Sequence, residues 1–206
     1  MQRFEYPADR EIVNAARARA LEALLIEKGI ITSETVDKIM AIFATEMGPF
    51  NGARLVAKAW VDPAFKALVA EDTMAAVAKM NFVTKGAGAE GEHIRAALNT
   101  PEVHNLVICT LCSCYPWPLL GLPPYWYKDP SFRARAAREP RKVLSEFGLH
   151  IDPDKEIQAW DSSAQIRWFV VPERPAGTDG LSEEQLAALV TPESMMGVAV
   201  VKSPGG

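Results

Sequence analysis

The chain has 206 residues, 49% of them hydrophobic, and its 22 basic and 26 acidic side chains give a formal net charge of −4. That balance leaves no basic footprint for nucleic acid, and no apolar run approaches a membrane span. The opening segment Met1-Gln2-Arg3-Phe4-Glu5-Tyr6 lacks the apolar stretch of a signal peptide, and the three cysteines are clustered rather than spread as a disulfide framework, so the expectation is a cytoplasmic protein.

Residues 8–47 read as two helices. Ile12, Ala16, Leu21, Leu24 and Leu25 recur at helical spacing, Gly29 suits a stop, and Thr32 or Ser33 can cap a second helix carrying Val36, Ile39, Met40 and Phe43. Two helices with no local core need something to cover, so residues 1–48 are expected to form an N-terminal arm; a hairpin folded onto its own domain is the alternative. Residues 49–206 form the second unit. A helix is expected over 51–60, and Asp62-Pro63 opens another that continues to about residue 80. The glycine-containing stretch 85–91 reads as a loop. Strand signals follow at 105–108, 156–160 and 166–171, and residues 133–147 read as a helix interrupted or started near Pro140. Ser182-Glu183-Glu184-Gln185 has the pattern of a capping box. The mixture predicts an α+β fold, with a layered α/β/β/α domain following the arm and carrying a Cys-rich loop.

That loop is Cys109-Thr110-Leu111-Cys112-Ser113-Cys114, entered from the apolar run Leu106-Val107-Ile108. The Cys112 thiolate and the Ser113 amide nitrogen close a six-membered chelate. The Ser113 and Cys114 amides, and the Cys114 amide with its own thiolate, close five-membered ones. Four donors then lie in one plane, with Cys109 beneath it as an axial ligand and a sixth position open to water or substrate. Amide nitrogens bind only when deprotonated, which favours low-spin trivalent cobalt or iron over zinc. Three other readings stay open: a zinc site completed by His93, His104 or His150, a redox pair of Cys109 and Cys112, and inert core cysteines. Residues 115–130 contain five prolines and several aromatics, which read as a rigid scaffold around the claw rather than a polyproline ligand. Arg133, Arg135, Arg138, Arg141 and Lys142 form a basic run, a solvated face or a contact for an acidic surface.

The segment from Val107 through Cys109-Thr110-Leu111-Cys112-Ser113-Cys114-Tyr115-Pro116-Trp117-Pro118 resembles the metal-binding region of the nitrile hydratase alpha subunit. Asn51-Gly52-Ala53-Arg54-Leu55 upstream, and Trp160-Asp161-Ser162-Ser163 and Pro172-Glu173-Arg174-Pro175 downstream, agree in order. The resemblance implies that nitriles are hydrated to amides at a non-corrin Co(III) centre, with Fe(III) the lesser choice because Thr110 stands where iron-type members tend to have Ser. It implies Cys109, Cys112 and Cys114 as sulfur ligands and the backbone nitrogens of Ser113 and Cys114 as the other two. It further implies Cys112 oxidised to sulfinic acid, Cys114 oxidised to sulfenic acid, and catalysis at Cys114 and Ser113, with the Cys114 sulfenate oxygen as nucleophile.

Such oxidised sulfurs need cationic partners, and the loop itself holds no Arg or Lys, the nearest being Lys128 and Arg133. By resemblance those partners come from a beta subunit, which the helical arm would wrap, in an α2β2 heterotetramer. Glu90 stands where many relatives have a Gln near the active-site water network; it is either a changed proton relay or a solvated loop residue. Trp117 is placed either in the wall of the substrate pocket or in plain packing. Two rivals remain: the similar cobalt-containing catalytic subunit of thiocyanate hydrolase, and a non-enzymatic zinc-binding or redox-sensing protein.

Overall fold

The computed structural model describes residues 8–82 and 93–204, with side chains from residue 11 onward. The arm consists of α1 (Ala8–Glu27) and α2 (Ser33–Thr45), separated by Gly29 at φ +67°. Thr32 caps α2 by accepting the Thr35 N–H at 3.1 Å. No residue of α2 is buried.

Three helices then build the first layer of the domain: α3 (Pro49–Val61), α4 (Pro63–Glu71) and α5 (Thr73–Lys79). Where one helix was expected to run from Pro63 to about residue 80, two are found. Asp72 leaves the helical region (φ −137°, ψ 85°) and its carboxylate accepts the Ala75 N–H at 3.0 Å, so a good N-cap outcompetes continued apolar periodicity. The expected loop at 85–91 lies outside the described residues, as does Glu90.

The strands are β1 (His93–Leu98), β2 (Val103–Ile108), β3 (Glu156–Asp161) and β4 (Ile166–Val171). They form two parallel ribbons, β1 with β4 and β2 with β3. Helices α4 and α5 pack on β1, β2 packs on β4, and β3 meets α9 (Pro140–Glu146), which is the expected α/β/β/α layering. β2 is buried along nearly its whole length, as strands of parallel sheets covered on both faces are. Its polar residues are satisfied inside the core: Trp160 Nε1 donates to Asn105 Oδ1 at 2.7 Å, Asn105 Nδ2 donates to Leu98 O at 2.8 Å, and His104 Nε2 meets Gly197 O at 2.7 Å.

The proline-rich segment after the claw folds into two single-turn helices, α6 (Trp117–Leu120) and α7 (Tyr125–Lys128), leading into α8 (Pro130–Ala136). The helix expected over 133–147 is thus divided, with Arg135 and Glu139 joined across the break by an ion pair of 2.8 Å. Trp126 sits 5.0 Å from the rings of both Phe132 and Phe147, locking α7, α8 and the end of α9 into one aromatic cluster. Two short helices close the chain: α10 (Glu183–Ala187), opened by the expected Ser182–Gln185 capping box, and α11 (Pro192–Met196). Gly197 ends α11 at φ +83°, where a Cβ would stand 2.0 Å from Asn105 O; the position leaves room for no side chain.

Candidate metal centre

β2 delivers Cys109 to the carboxyl end of a parallel ribbon, and the next five residues curl back so that three sulfurs converge. The Cys109, Cys112 and Cys114 Sγ atoms all lie within 4.8 Å of one another. Cys109 to Cys112 is 3.6 Å and Cys112 to Cys114 is 3.0 Å, far beyond a disulfide bond. No fourth His, Cys or carboxylate joins this group among the described residues, so the donor set fits a soft-ligand ion completed by backbone nitrogens better than a zinc site closed by four side chains.

The loop is held from four sides. Asp161, the last residue of β3 and the register partner of Ile108, accepts the Thr110 N–H at 2.9 Å and the Thr110 hydroxyl at 2.6 Å. The Cys112 N–H donates to Cys109 Sγ at 3.3 Å. Tyr127 Oη, buried in α7, donates to the Cys114 carbonyl at 2.8 Å. Arg133 Nη1, from α8, donates to the Cys112 carbonyl at 2.9 Å. Nitrogen, oxygen and sulfur contacts thus fix the backbone while leaving the thiols facing one another.

Burial divides the thiols. Cys109 and Cys114 are buried, and Cys112 is exposed. The Cys112 thiol is held below its ordinary pKa, first by its hydrogen bond with Cys114 and further by Cys109 and the backbone amides of Ser113 and Cys114. Cys114 moves the opposite way, pushed up to about 12 by burial first and then by Cys112, against the favourable charge of Arg167. An ion entering this loop displaces a proton more easily from Cys112 than from Cys114.

Among the sequence-predicted residues, the structure brings Cys109, Cys112, Ser113 and Cys114 together. Trp117 is half-buried at the start of α6, with its ring 5.9 Å from Phe43 of α2, so it links the loop to the arm. A cavity of about 520 Å3 opens beside it, walled by Met47, Phe50, Tyr115, Leu120 and Trp126, with Glu193 at its edge; Trp117 is not among its lining residues. Sequence reasoning missed Asp161, Tyr127 and Arg167 as neighbours of the claw. Asp161 carried one usable signal, an acidic residue ending a strand. Arg133 was placed beyond the loop, yet folding returns it to Cys112. No described helix is long and apolar enough to cross a membrane.

Comparison with known proteins agrees with this geometry. The family described as "Nitrile hydratase, alpha chain" matches residues 13–199. The low-molecular weight cobalt-containing nitrile hydratase subunit alpha of Rhodococcus rhodochrous is 52% identical over 190 residues, covering 92% of this chain and 90% of that one. The gamma subunit of thiocyanate hydrolase from Thiobacillus thioparus is 42% identical, covering 90% of this chain and 79% of the relative. A solved double-histidine variant of the Fe-type nitrile hydratase from Comamonas testosteroni superposes with a TM-score of 0.85 at 39% identity, covering 94% and 92% of the two chains. By residues matched, identity and fold, this chain belongs to the nitrile hydratase alpha-chain family, whose enzymes hydrate nitriles to amides.

Proposed function

We propose that this chain is the alpha subunit of a cobalt nitrile hydratase. Cys109, Cys112 and Cys114 supply the sulfur ligands and the backbone nitrogens of Ser113 and Cys114 the remaining two. The observation that carries the ligand set is the convergence of the three sulfurs within 4.8 Å of one another on six consecutive residues, with Cys112 3.6 Å from Cys109 and 3.0 Å from Cys114. Cobalt is preferred over iron because the 52% identical relative is cobalt-containing and Thr110 occupies the second claw position.

When bound, the trivalent ion would supply Lewis acidity toward a nitrile nitrogen. The chain's own residues do the rest. In the mature protein Cys112 is oxidised to the sulfinic and Cys114 to the sulfenic level. The sulfenate oxygen of Cys114 bonds to the nitrile carbon; water then attacks the sulfur, its oxygen replacing the S–O bond that breaks and its two protons passing to the nitrogen of the departing amide. Asp161 and Tyr127 keep the loop from opening as these charges develop. Trp117 walls the approach.

A beta subunit completes the site, in an α2β2 assembly in the cytoplasm. Support comes from the arm, whose α2 has no fully buried residue and touches the domain through Phe43 while Ile39 and Met40 stand exposed on it. The similarity to thiocyanate hydrolase defines the second reading, in which the same centre hydrolyses a small anion.

The test is metal analysis and peptide mass spectrometry on protein co-expressed with its partner, followed by assays on a nitrile and on thiocyanate. Cobalt, two added oxygens on Cys112, one on Cys114 and amide production are expected. Zinc, or three reduced thiols in matured protein, would overturn the assignment; turnover of thiocyanate alone would select the second reading.

A further inference from the structure

Oxidised cysteines carry negative charge into a partly buried loop, and such charge needs a paired cation. The sequence suggested that every cation would come from another polypeptide, yet Arg133 stands at the claw. Its position is rigid: Asp129 caps α8 by accepting the Ser131 and Phe132 N–H groups at 2.8 and 3.0 Å, and the neighbouring Phe132 is fully buried in the aromatic cluster. One guanidinium nitrogen, Nη1, donates to the Cys112 carbonyl at 2.9 Å. Another, Nε, is buried and has no hydrogen-bond partner among the described residues. A buried donor without an acceptor is costly and rare, so its persistence beside a residue expected to gain oxygens is informative. A thiol is a poor acceptor, whereas a sulfinate offers two charged oxygens.

We propose that Arg133 is a positioning residue that pairs with oxidised Cys112 from within the same chain, Nη1 holding the carbonyl and Nε taking a sulfur-bound oxygen. The inference rests on the reading that Cys112 is oxidised in the mature enzyme. Arg133 then stabilises the matured claw without touching substrate, alongside the cations a partner supplies.

The test uses holoenzyme co-expressed with its partner as wild type, Arg133→Gln and Arg133→Lys. Glutamine keeps a neutral donor for the Cys112 carbonyl and loses the charge; lysine keeps the charge. Peptide mass spectrometry reads oxygen on Cys112, metal analysis reads cobalt per chain, and kinetics separate kcat from KM. The expected result is an Arg133→Gln enzyme with reduced Cys112 oxidation, cobalt retention weakened about 10-fold or more and kcat lowered with KM little changed, and an Arg133→Lys enzyme restored toward wild type. Wild-type oxidation, cobalt and kcat in Arg133→Gln would reduce Arg133 to a tether for the carbonyl and overturn the proposal. Should Arg133→Gln not fold, Arg133→Lys must keep Cys112 oxidised and cobalt bound, and a folded Arg133→Lys enzyme that loses both overturns it. Wild-type holoenzyme lacking oxygen on Cys112 would instead sink the parent reading before any variant is compared.

Discussion

The arm and the claw domain follow the same helix rules and reach opposite ends. In the arm, Ile12, Leu21 and Met40 recur at helical spacing yet remain 70, 61 and 64% exposed. In α3, Leu55, Val56 and Ala59 follow the same spacing and are buried against α6 and α10. Capping and propensity make both into helices; among the described residues the stripe of α3 is buried, whereas that of α2 is covered in part, at Ile42 and Phe43. The arm leaves the domain at Phe43, which meets Trp117, and Met47, which is fully buried.

The sharpest way to break the contrast is at the claw. Cys114→Ser should remove nitrile hydration to below about a thousandth of wild type, since nucleophile and ligand are lost together, while far-UV circular dichroism stays unchanged. Wild-type-like turnover with metal retained would eliminate both the sulfenate mechanism and the ligand set.

Next comes the core that carries the claw. Leu55→Ala should cost about 2–5 kcal/mol in urea unfolding, because a fully buried leucine leaves a cavity that α6 and α10 cannot refill. A cost below ~1 kcal/mol would mean that α3 packs as loosely as the arm.

These two sites also show what was legible beforehand. The claw's chemistry sits in six consecutive residues, so its spacing alone predicted converging donors. Its supports could not be read that way: Asp161 and Arg133 lie 51 and 21 residues from the groups they hold, and only the β2–β3 register and the α7–α8 turn bring them back. β1 escaped for another reason. Arg95, Ala96 and Ala97 are poor strand formers, and the segment is extended because it pairs with β4 and lies beneath α4 and α5. Asp72 was readable as a cap in principle, but apolar residues continued past it.

A smaller effect follows from His104. Burial lowers its pKa, opposed by its bond to the Gly197 carbonyl and by Glu173 and reinforced by Lys155. The ring is neutral in the folded chain, with Nε2–H on Gly197 O and Nδ1 facing Asn99 Nδ2 at 3.4 Å. Below the ordinary histidine value of about 6.5 the unfolded chain takes up the proton first, so stability falls as pH drops from there toward the lower folded pKa. His104→Gln should flatten that part of the stability–pH curve. A curve equally steep with and without the imidazole would assign the acid sensitivity to other groups.

The smallest stability change is expected in the arm, and it decides what the arm is for. Leu21→Glu with Met40→Glu places two charges at positions already in water, so the isolated chain should unfold within about 0.5 kcal/mol of wild type. Capture of the co-expressed partner should weaken at least about 10-fold, because each site exchanges apolar contact for a buried, unpaired charge. If the isolated chain is instead destabilised by more than ~1 kcal/mol while partner capture is untouched, the arm folds onto its own domain. If both quantities move together, α1 and α2 are part of the core after all, and the contrast between the two regions fails. Only a separation of the two readouts, stability unchanged and association lost, is compatible with helices whose apolar stripe belongs to another polypeptide.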